Sequence, residues 1–237
     1  MKQAKTQTRF KPGNWILKLL IKFIFLMVAL TACQVFAFKY LNPPVTMNMI
    51  YEYLSHQWFQ TPHVEARYEW RDMDEISPHL RRAVLASEDQ RFLIHNGFDF
   101  EEIKIVLKNL ARNKGIRGAS TISMQAARSL FLPSSRHPVR KLAEAWYTLL
   151  IEAIWDKSRI LEVYLNTVDW GTGLVGCEAA SQSYFGHSAA RIGPERAALM
   201  AAILPSPHKR SPVRPTPYLK KRAQQIRRQM KSMPLIN

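Results

Sequence analysis

Two adjacent carboxylates, an arginine, an aromatic ring and a histidine are gathered in the stretch Ser87-Glu88-Asp89-Gln90-Arg91-Phe92-Leu93-Ile94-His95-Asn96-Gly97. Upstream, Leu80, Val84 and Ser87 recur at helical spacing, so Glu88 falls in the last turn of a helix that runs out towards glycine. The negative end of a helix opposes ionisation of a carboxylate there, which suits a group that takes up a proton. A solvated helix end would use the same residue types. A second charged cluster is Arg140-Lys141-Leu142-Ala143-Glu144, in which Arg140 and Glu144 are four apart and share a helical face. As a surface ion pair it would contribute under about 1 kcal/mol. As chemistry it is a carboxylate held among cations. Between the two clusters, Ala119-Ser120-Thr121-Ile122-Ser123-Met124-Gln125 reads as a helix start with Ser120 or Thr121 as N-cap. Exposed amides at such a start hold anions, and Arg128 and Arg136 follow closely.

The elements that must position these groups are helical. Phe100, Ile103, Val106, Leu107 and Leu110 repeat at helical spacing and predict a core-facing helix. A basic loop over residues 112–118 precedes the Thr121 region. Pro138 suits the first position of a helix that continues through Leu149, Leu150, Ile151 and Ile154. Another helix runs from Lys157 to Asn166, with Ser158 as its cap. Gly171, Gly173 and Gly176 predict a loop that is neither regular helix nor strand. Residues 179–185 form a small-residue helix ended by Gly186. An alanine-rich helix from Pro194 to Leu204 stops at Pro205-Ser206-Pro207, and a final helix carries Lys220, Lys221, Arg222, Arg227, Arg228 and Lys231. No sustained period-two pattern occurs, so the fold class is mainly α.

The chain has 237 residues and a formal charge of +16. That balance calls for an anionic partner, whether nucleic acid, lipid headgroups or a phosphorylated substrate. No zinc-finger spacing, aromatic RNA-binding signature or basic zipper is present, which argues against nucleic acid. Cys33 and Cys177 lie far apart in different kinds of segment and are not expected to pair. Residues 2–39 carry seven Lys or Arg and no acid, and residues 23–38 are free of charge. About 20 apolar residues cross a bilayer, and Lys18 and Lys22 can snorkel to its surface. Positive charge ahead of the segment places the N-terminus in the cytoplasm. The boundaries that follow are a cytoplasmic basic tail (1–14), one transmembrane helix (15–38), a juxtamembrane segment (39–64) and an extracytoplasmic domain (65–237). A cleaved signal peptide is the rival to a retained helix, and Leu30-Thr31-Ala32-Cys33 resembles the site at which bacterial lipoproteins are processed and acylated. The Met- and aromatic-rich residues 45–63 suit either a packed helix or a surface that dips into lipid.

Taken together, the motifs resemble the peptidoglycan glycosyltransferases of glycosyltransferase family 51, in their monofunctional biosynthetic form. Five occur in family order across residues 65–215. They are Glu88-Asp89-Gln90-Arg91-Phe92 with His95 and Gly97; Gly118 to Gln125; Arg140 to Glu144; Lys157 with Arg159 to Asn166; and Glu195 to Pro207. Ala119 and Met124 depart from the second motif, which usually has a glycine pair and a glutamine pair, so polar contacts there rest on Gln125. The resemblance implies a lysozyme-like helical glycosyltransferase domain behind one N-terminal transmembrane helix in the bacterial inner membrane, with the domain periplasmic. It implies lipid II as acceptor and the growing glycan on undecaprenyl pyrophosphate as donor, joined by inverting β-1,4 transfer without transpeptidase activity. Glu88 is then the general base and Glu144 the second essential carboxylate, which orients Lys141, binds metal or positions the leaving group. Arg128, Arg136, Arg140 and Lys141 match the positions that hold the pyrophosphate. Asp89, Phe92, His95, Ser120, Thr121 and Gln125 shape the substrate cleft. A divalent cation, Mg²⁺ or Mn²⁺, is expected at the pyrophosphate, with no organic cofactor, and cell-division or elongation proteins are the expected protein partners. A peptidoglycan-cleaving glycosidase or lytic transglycosylase would also use two carboxylates. Its neutral leaving group has no use for the cations around Glu144, however. A non-catalytic membrane scaffold would not need Glu88 and Glu144.

Overall fold

A computed structural model describes residues 13–60, 64–112, 118–134 and 137–236. The helix that carries Glu88, α3 (Pro78–Glu88), begins with Ser77 as N-cap and Pro78 at its first position, and buries Leu80, Ala83, Val84 and Ser87. It packs with α9 (Pro194–Ile203) and α10 (Pro217–Gln229). A second group joins α5 (Ile122–Phe131), α6 (Pro138–Ile154) and α7 (Lys157–Thr167). One continuous apolar core runs through both groups, with Phe92, Tyr164 and Trp170 among its largest fully buried side chains. The middle helix of the second group, α5, buries Ile122, Met124, Ala126, Ala127, Leu130 and Phe131. Gln125, Arg128 and Ser129, three and four residues apart, are left on its one partly open side. Met124 therefore places its apolar side chain in the interior, away from that open side.

Three expectations are corrected. The helix of Phe100, Ile103, Val106, Leu107 and Leu110 is α4 (Phe100–Ala111), but it has no buried residue, and Phe100, Leu107 and Leu110 are exposed. Periodicity reports that one face is apolar and not what covers it. The cap of α7 is Asp156, whose carboxylate accepts from the Arg159 amide at 2.7 Å, two residues ahead of the expected Ser158. The glycine-rich stretch is a small hairpin. Its strands β2 (Asp169–Gly171) and β3 (Leu174–Val175) pair antiparallel, and β1 (Arg67–Tyr68) adds in parallel to β3. Gly173 takes the left-handed turn conformation between them, at φ +69°. The helix α8 (Cys177–Phe185) follows and ends, as expected, at Gly186 in the left-handed conformation. Cys33 and Cys177 are both free thiols.

At the N-terminal end, α1 (Gly13–Tyr40) includes a 26-residue apolar stretch, Trp15–Tyr40, with mean hydropathy 2.3. At 1.5 Å per residue it is about 39 Å long, enough to cross a hydrocarbon core of about 30 Å. Its first turns expose Trp15 to Phe25. Its last turns instead dock on α6 and α7. Trp146 donates to Thr31 at 3.1 Å, Tyr147 to Gln34 at 2.9 Å and Trp155 to the Val35 carbonyl at 2.8 Å. Arg159 closes the end: its guanidinium donates to the carbonyls of Phe38 and Leu41, both at 2.9 Å, and to Asn42 at 2.9 Å, while lying over the Trp70 ring. A helix C-terminus has carbonyls without partners, and a buried cation is a strong donor to them. After the break at Pro43-Pro44, α2 (Met47–Phe59) starts from Thr46 and packs on α5, yet buries none of its own residues. Its Tyr51, Tyr53, Trp58 and Phe59 are exposed, close in sequence to the anchor.

Arg159→Ala removes charge-assisted bonds of roughly 1.5–3 kcal/mol each. Amide exchange at residues 38–42 in detergent micelles should accelerate at least tenfold, with little change in α9 and α10. Unchanged exchange there would show that the anchor ends on the domain without this clamp.

Candidate active site

Glu88 is the last residue of α3, so its carboxylate sits half-buried where the chain leaves the helix. Two neutral donors hold it: Ser87 Oγ at 2.9 Å from Oε1 and Gln125 Nε2 at 3.3 Å from Oε2. No ion pair to Glu88 occurs among the described residues. The other face of the Gln125 amide meets the Tyr164 hydroxyl at 3.5 Å. Burial pushes the Tyr164 phenol well up, and the Glu88 charge adds to this against the pull of Arg128. The phenol therefore stays neutral and donates, which turns the amide so that its NH₂ faces Glu88.

The neighbouring Asp89 is placed differently. It is buried, and its carboxylate accepts from His95 Nε2 at 3.0 Å and from the Ile122 amide at 3.0 Å. Thr121 caps α5 by accepting from the Met124 amide at 3.2 Å, and donates to the Gly97 carbonyl at 2.6 Å. Asp89 and Thr121 thus occupy amides at the start of α5 that the sequence suggested could hold an external anion. Gly97 has φ +86°, and a Cβ there would lie 2.8 Å from Thr148, so only glycine brings this loop against α6. Phe92 is buried beneath the loop, with Lys157 Nζ 4.6 Å from its ring centre. Lys157 also donates to the His95 carbonyl at 2.7 Å and to Glu152 at 2.8 Å, and Ser123 donates to Glu152. Asp89, Phe92, His95 and Thr121 therefore build the wall and floor. Glu88, Asp89, Ser120 and Thr121, with Gly118 and Ala119, line a recess of about 140 Å³.

On the other side of Gln125 a cleft of about 580 Å³ opens between α2, α5, the start of α6 and the hairpin. Gln125, Arg128 and Arg140 line it. Arg128 makes no ion pair or side-chain hydrogen bond among the described residues. Arg140 donates to Glu144 Oε2 at 3.0 Å, and Lys141 donates to Glu144 Oε1. Glu144 itself is 0 % exposed. Both its oxygens are thus engaged by cations, and its burial makes it a fixed anchor for them rather than an exposed surface pair. Arg136 lies outside the described residues. The site carboxylates and cations are brought together by α3, α5 and α6, and Gln125, which lines the cleft, reaches Glu88 of the recess with its amide.

No group of three or more His, Cys, Asp or Glu side chains able to hold a metal ion occurs among the described residues. The donor set therefore does not fit a resident cation held by the protein alone. Ser87, Tyr164, Glu152 and Arg222 were not predicted as site residues. Tyr164 and Lys157 stand within the fourth motif, a signal that was available, whereas Glu152 and Arg222 look like ordinary charged helix positions.

Comparison with known proteins places these features in context. A family model described as Transglycosylase matches residues 55–231. A biosynthetic peptidoglycan transglycosylase of Shewanella oneidensis is 43% identical over 220 residues, covering 93% of this chain and 91% of that protein. Proteins of the same description match from Pseudomonas aeruginosa, 43% identical over 211 residues (89% of this chain, 90% of that protein), and Xanthomonas campestris pv. campestris, 40% over 233 residues (98% and 93%).

Asp89→Ala leaves His95 and the Ile122 amide without their buried acceptor, at a cost of about 2–4 kcal/mol. Thermal unfolding in detergent should fall by several degrees, with a smaller fall for Asp89→Asn. Wild-type melting of the alanine variant would mean that the loop and α5 are joined by other contacts.

Proposed function

The chain belongs to the transglycosylase family, whose reaction builds peptidoglycan strands from lipid II, and we propose that Glu88 is its general base. The reading is supported above all by one contrast. Glu88 is held by a hydroxyl and an amide, while Glu144 is fully engaged by Arg140 and Lys141. The first carboxylate is half-exposed at an opening where a substrate hydroxyl can reach it, and the second is shut away from solvent with both oxygens occupied.

In the proposed reaction the 4-hydroxyl of lipid II attacks the anomeric carbon of the growing strand. Its proton passes to Glu88 as the new C–O bond forms. The bond from the anomeric carbon to the undecaprenyl pyrophosphate breaks on the opposite side, so an α-linked donor gives a β-1,4 product. The leaving pyrophosphate is a weak base and needs charge neutralisation more than a proton. Arg128 and Arg140 open onto the cleft beside Gln125, and Arg136 and Lys141 extend the same cationic run in sequence. Glu144 sets the positions of Arg140 and Lys141. A Mg²⁺ or Mn²⁺ ion accompanying the pyrophosphate would be held mainly by the phosphates. The 580 Å³ cleft suits the donor and the Glu88 recess the acceptor hydroxyl.

We further infer that α1 crosses the inner membrane with its N-terminus in the cytoplasm, because Lys2, Lys5, Arg9 and Lys11 precede the apolar span. The catalytic domain then lies in the periplasm, where cell-division or elongation proteins are the expected company. Lipid II and the lipid-linked strand reach it from the same bilayer.

Polymerisation of purified lipid II in detergent tests the assignment. Glycan from the wild type should fall about 10²–10⁴-fold in Glu88→Gln, the range of general-base contributions. Undiminished polymer from Glu88→Gln would remove Glu88 from the role and leave the reaction standing. Arg128→Ala should lower the rate with the fold intact, and a normal rate would take Arg128 out of pyrophosphate binding.

A further inference from the structure

Behind Glu88, on the side away from Gln125, three elements meet at one hydroxyl. Ser87 Oγ lies 2.9 Å from Glu88 Oε1, 3.1 Å from the Ala201 carbonyl of α9 and 3.1 Å from Arg222 Nη2 of α10. Ser87 is buried, and so is the Arg222 Nε atom, which has no hydrogen-bond partner among the described residues. Nor does any carboxylate pair with Arg222 among them. The described polar contact of this guanidinium is therefore the hydroxyl that touches the proposed base.

A hydroxyl has one proton and two lone pairs, whereas a guanidinium only donates. Arg222 fills one lone pair of Ser87 and directs the proton away from itself. Among the described contacts, two acceptors lie within reach of that proton, Glu88 Oε1 and the Ala201 carbonyl. An ionised carboxylate is the stronger acceptor of the two, and a protonated one is weaker. We propose that Ser87 and Arg222 are positioning residues for the glycosyl transfer. Arg222 holds the Ser87 hydroxyl so that it donates to Glu88 while the carboxylate is ionised and turns to Ala201 once Glu88 has taken the sugar proton. The inference rests on Glu88 being the base. It gives α10, which lies beyond the last of the five motifs, a part in the reaction.

The arrangement also offsets a local cost. Glu88 ends α3, where unpaired carbonyls present negative charge to it. The donors Ser87 and Gln125 oppose that field, and Arg222 adds positive charge behind Ser87. Other charged or titratable groups near Glu88 are Asp89, which is paired with His95, and Arg91, Asp99 and Glu102 around the recess. Arg91 is itself paired with Asp99 at 3.0 Å. Arg128 of α5 and the neutral Tyr164 of α7 face it from the other side. From α9 the group that reaches Ser87 is a carbonyl rather than a titratable side chain.

The test is the pH dependence of kcat/KM for lipid II polymerisation by the full chain in detergent, which reports the free enzyme's essential base. Ser87→Ala and Arg222→Gln should each raise the pH of the acid-side half-maximum, by about one unit for Ser87→Ala and about half a unit for Arg222→Gln. The KM for lipid II should stay within about twofold, since neither residue lines the cleft. Arg222→Lys, which keeps a cationic donor, should lie nearer the wild type. A uniform loss of rate at every pH with the acid side unmoved would overturn the proposal. So would failure of both Ser87→Ala and Arg222→Gln to fold, which would make the contact structural. Glu88→Gln run beside them separates the two readings. If it polymerises normally, the base assignment falls. If it is inactive while the acid side stays unmoved in both variants, only the roles of Ser87 and Arg222 fall.

Discussion

The carboxylate of Asp89 bound to the first amide of α5 is the contact on which the site depends. Glu88 lies one residue before Asp89, and Gln125 lies three residues beyond Ile122, so this bond sets the distance between the proposed base and the helix that faces it. An anion at a helix N-terminus is favoured by the exposed amides and by the dipole together. Here the protein supplies the anion itself, and His95 completes the pairing on the buried side. Thr121 fastens the same helix end to Gly97, at a backbone conformation that side chains seldom adopt. The first motif is then best understood as two devices in adjacent residues: Glu88, the proposed base, at the opening, and Asp89 turned inwards for geometry.

A similar division of labour separates the two glutamates. Around Glu88 the donors are neutral, a hydroxyl and an amide. Around Glu144 the donors are cations, and the carboxylate is shut away from water. Removing a carboxylate from water costs several kcal/mol unless its partners are well placed, which ties Arg140, at the edge of the cleft, and Lys141 to Glu144. Arg128 stands apart from both arrangements and keeps its charge available to a ligand. Charges that are neutralised internally set shape, and those that are not remain for the substrate.

Much of this was legible in the chain. The end of α3 at Glu88 follows from Leu80, Val84 and Ser87 and the turn towards Gly97, and the start of α6 follows from Pro138. The Arg140–Glu144 spacing predicts their contact, because it is a contact within one helix. The burial of Glu144 is not legible, since it depends on neighbours from other parts of the chain. The same reason hides Arg222, 135 residues from the Ser87 it touches, and the inward direction of Asp89. The α4 helix misleads in the opposite sense. Its apolar stripe has the period of a core helix, yet Phe100, Leu107 and Leu110 are exposed. The chain around Gly173 misleads too, because two strands of two or three residues give no periodic signal.

The exposed apolar surface makes sense with the anchor included. Phe100 and Leu107 of α4, Tyr51 and Trp58 of α2 and Leu142 and Leu149 of α6 join the exposed turns of α1 as apolar groups without protein cover. Exposed apolar groups in such number suit elements that lie beside lipid. The same helices α2 and α6 border the cationic cleft, so on the proposed reading the lipid-facing surface and the pyrophosphate site share two elements. The anchor is joined to that side through Trp146, Tyr147, Trp155 and Arg159 rather than through a loose linker. A tether alone would hold the domain near the bilayer in any orientation. A docked helix restricts the orientation, and under the proposed function a substrate whose lipid tail stays in the membrane would present its pyrophosphate where the cleft already faces.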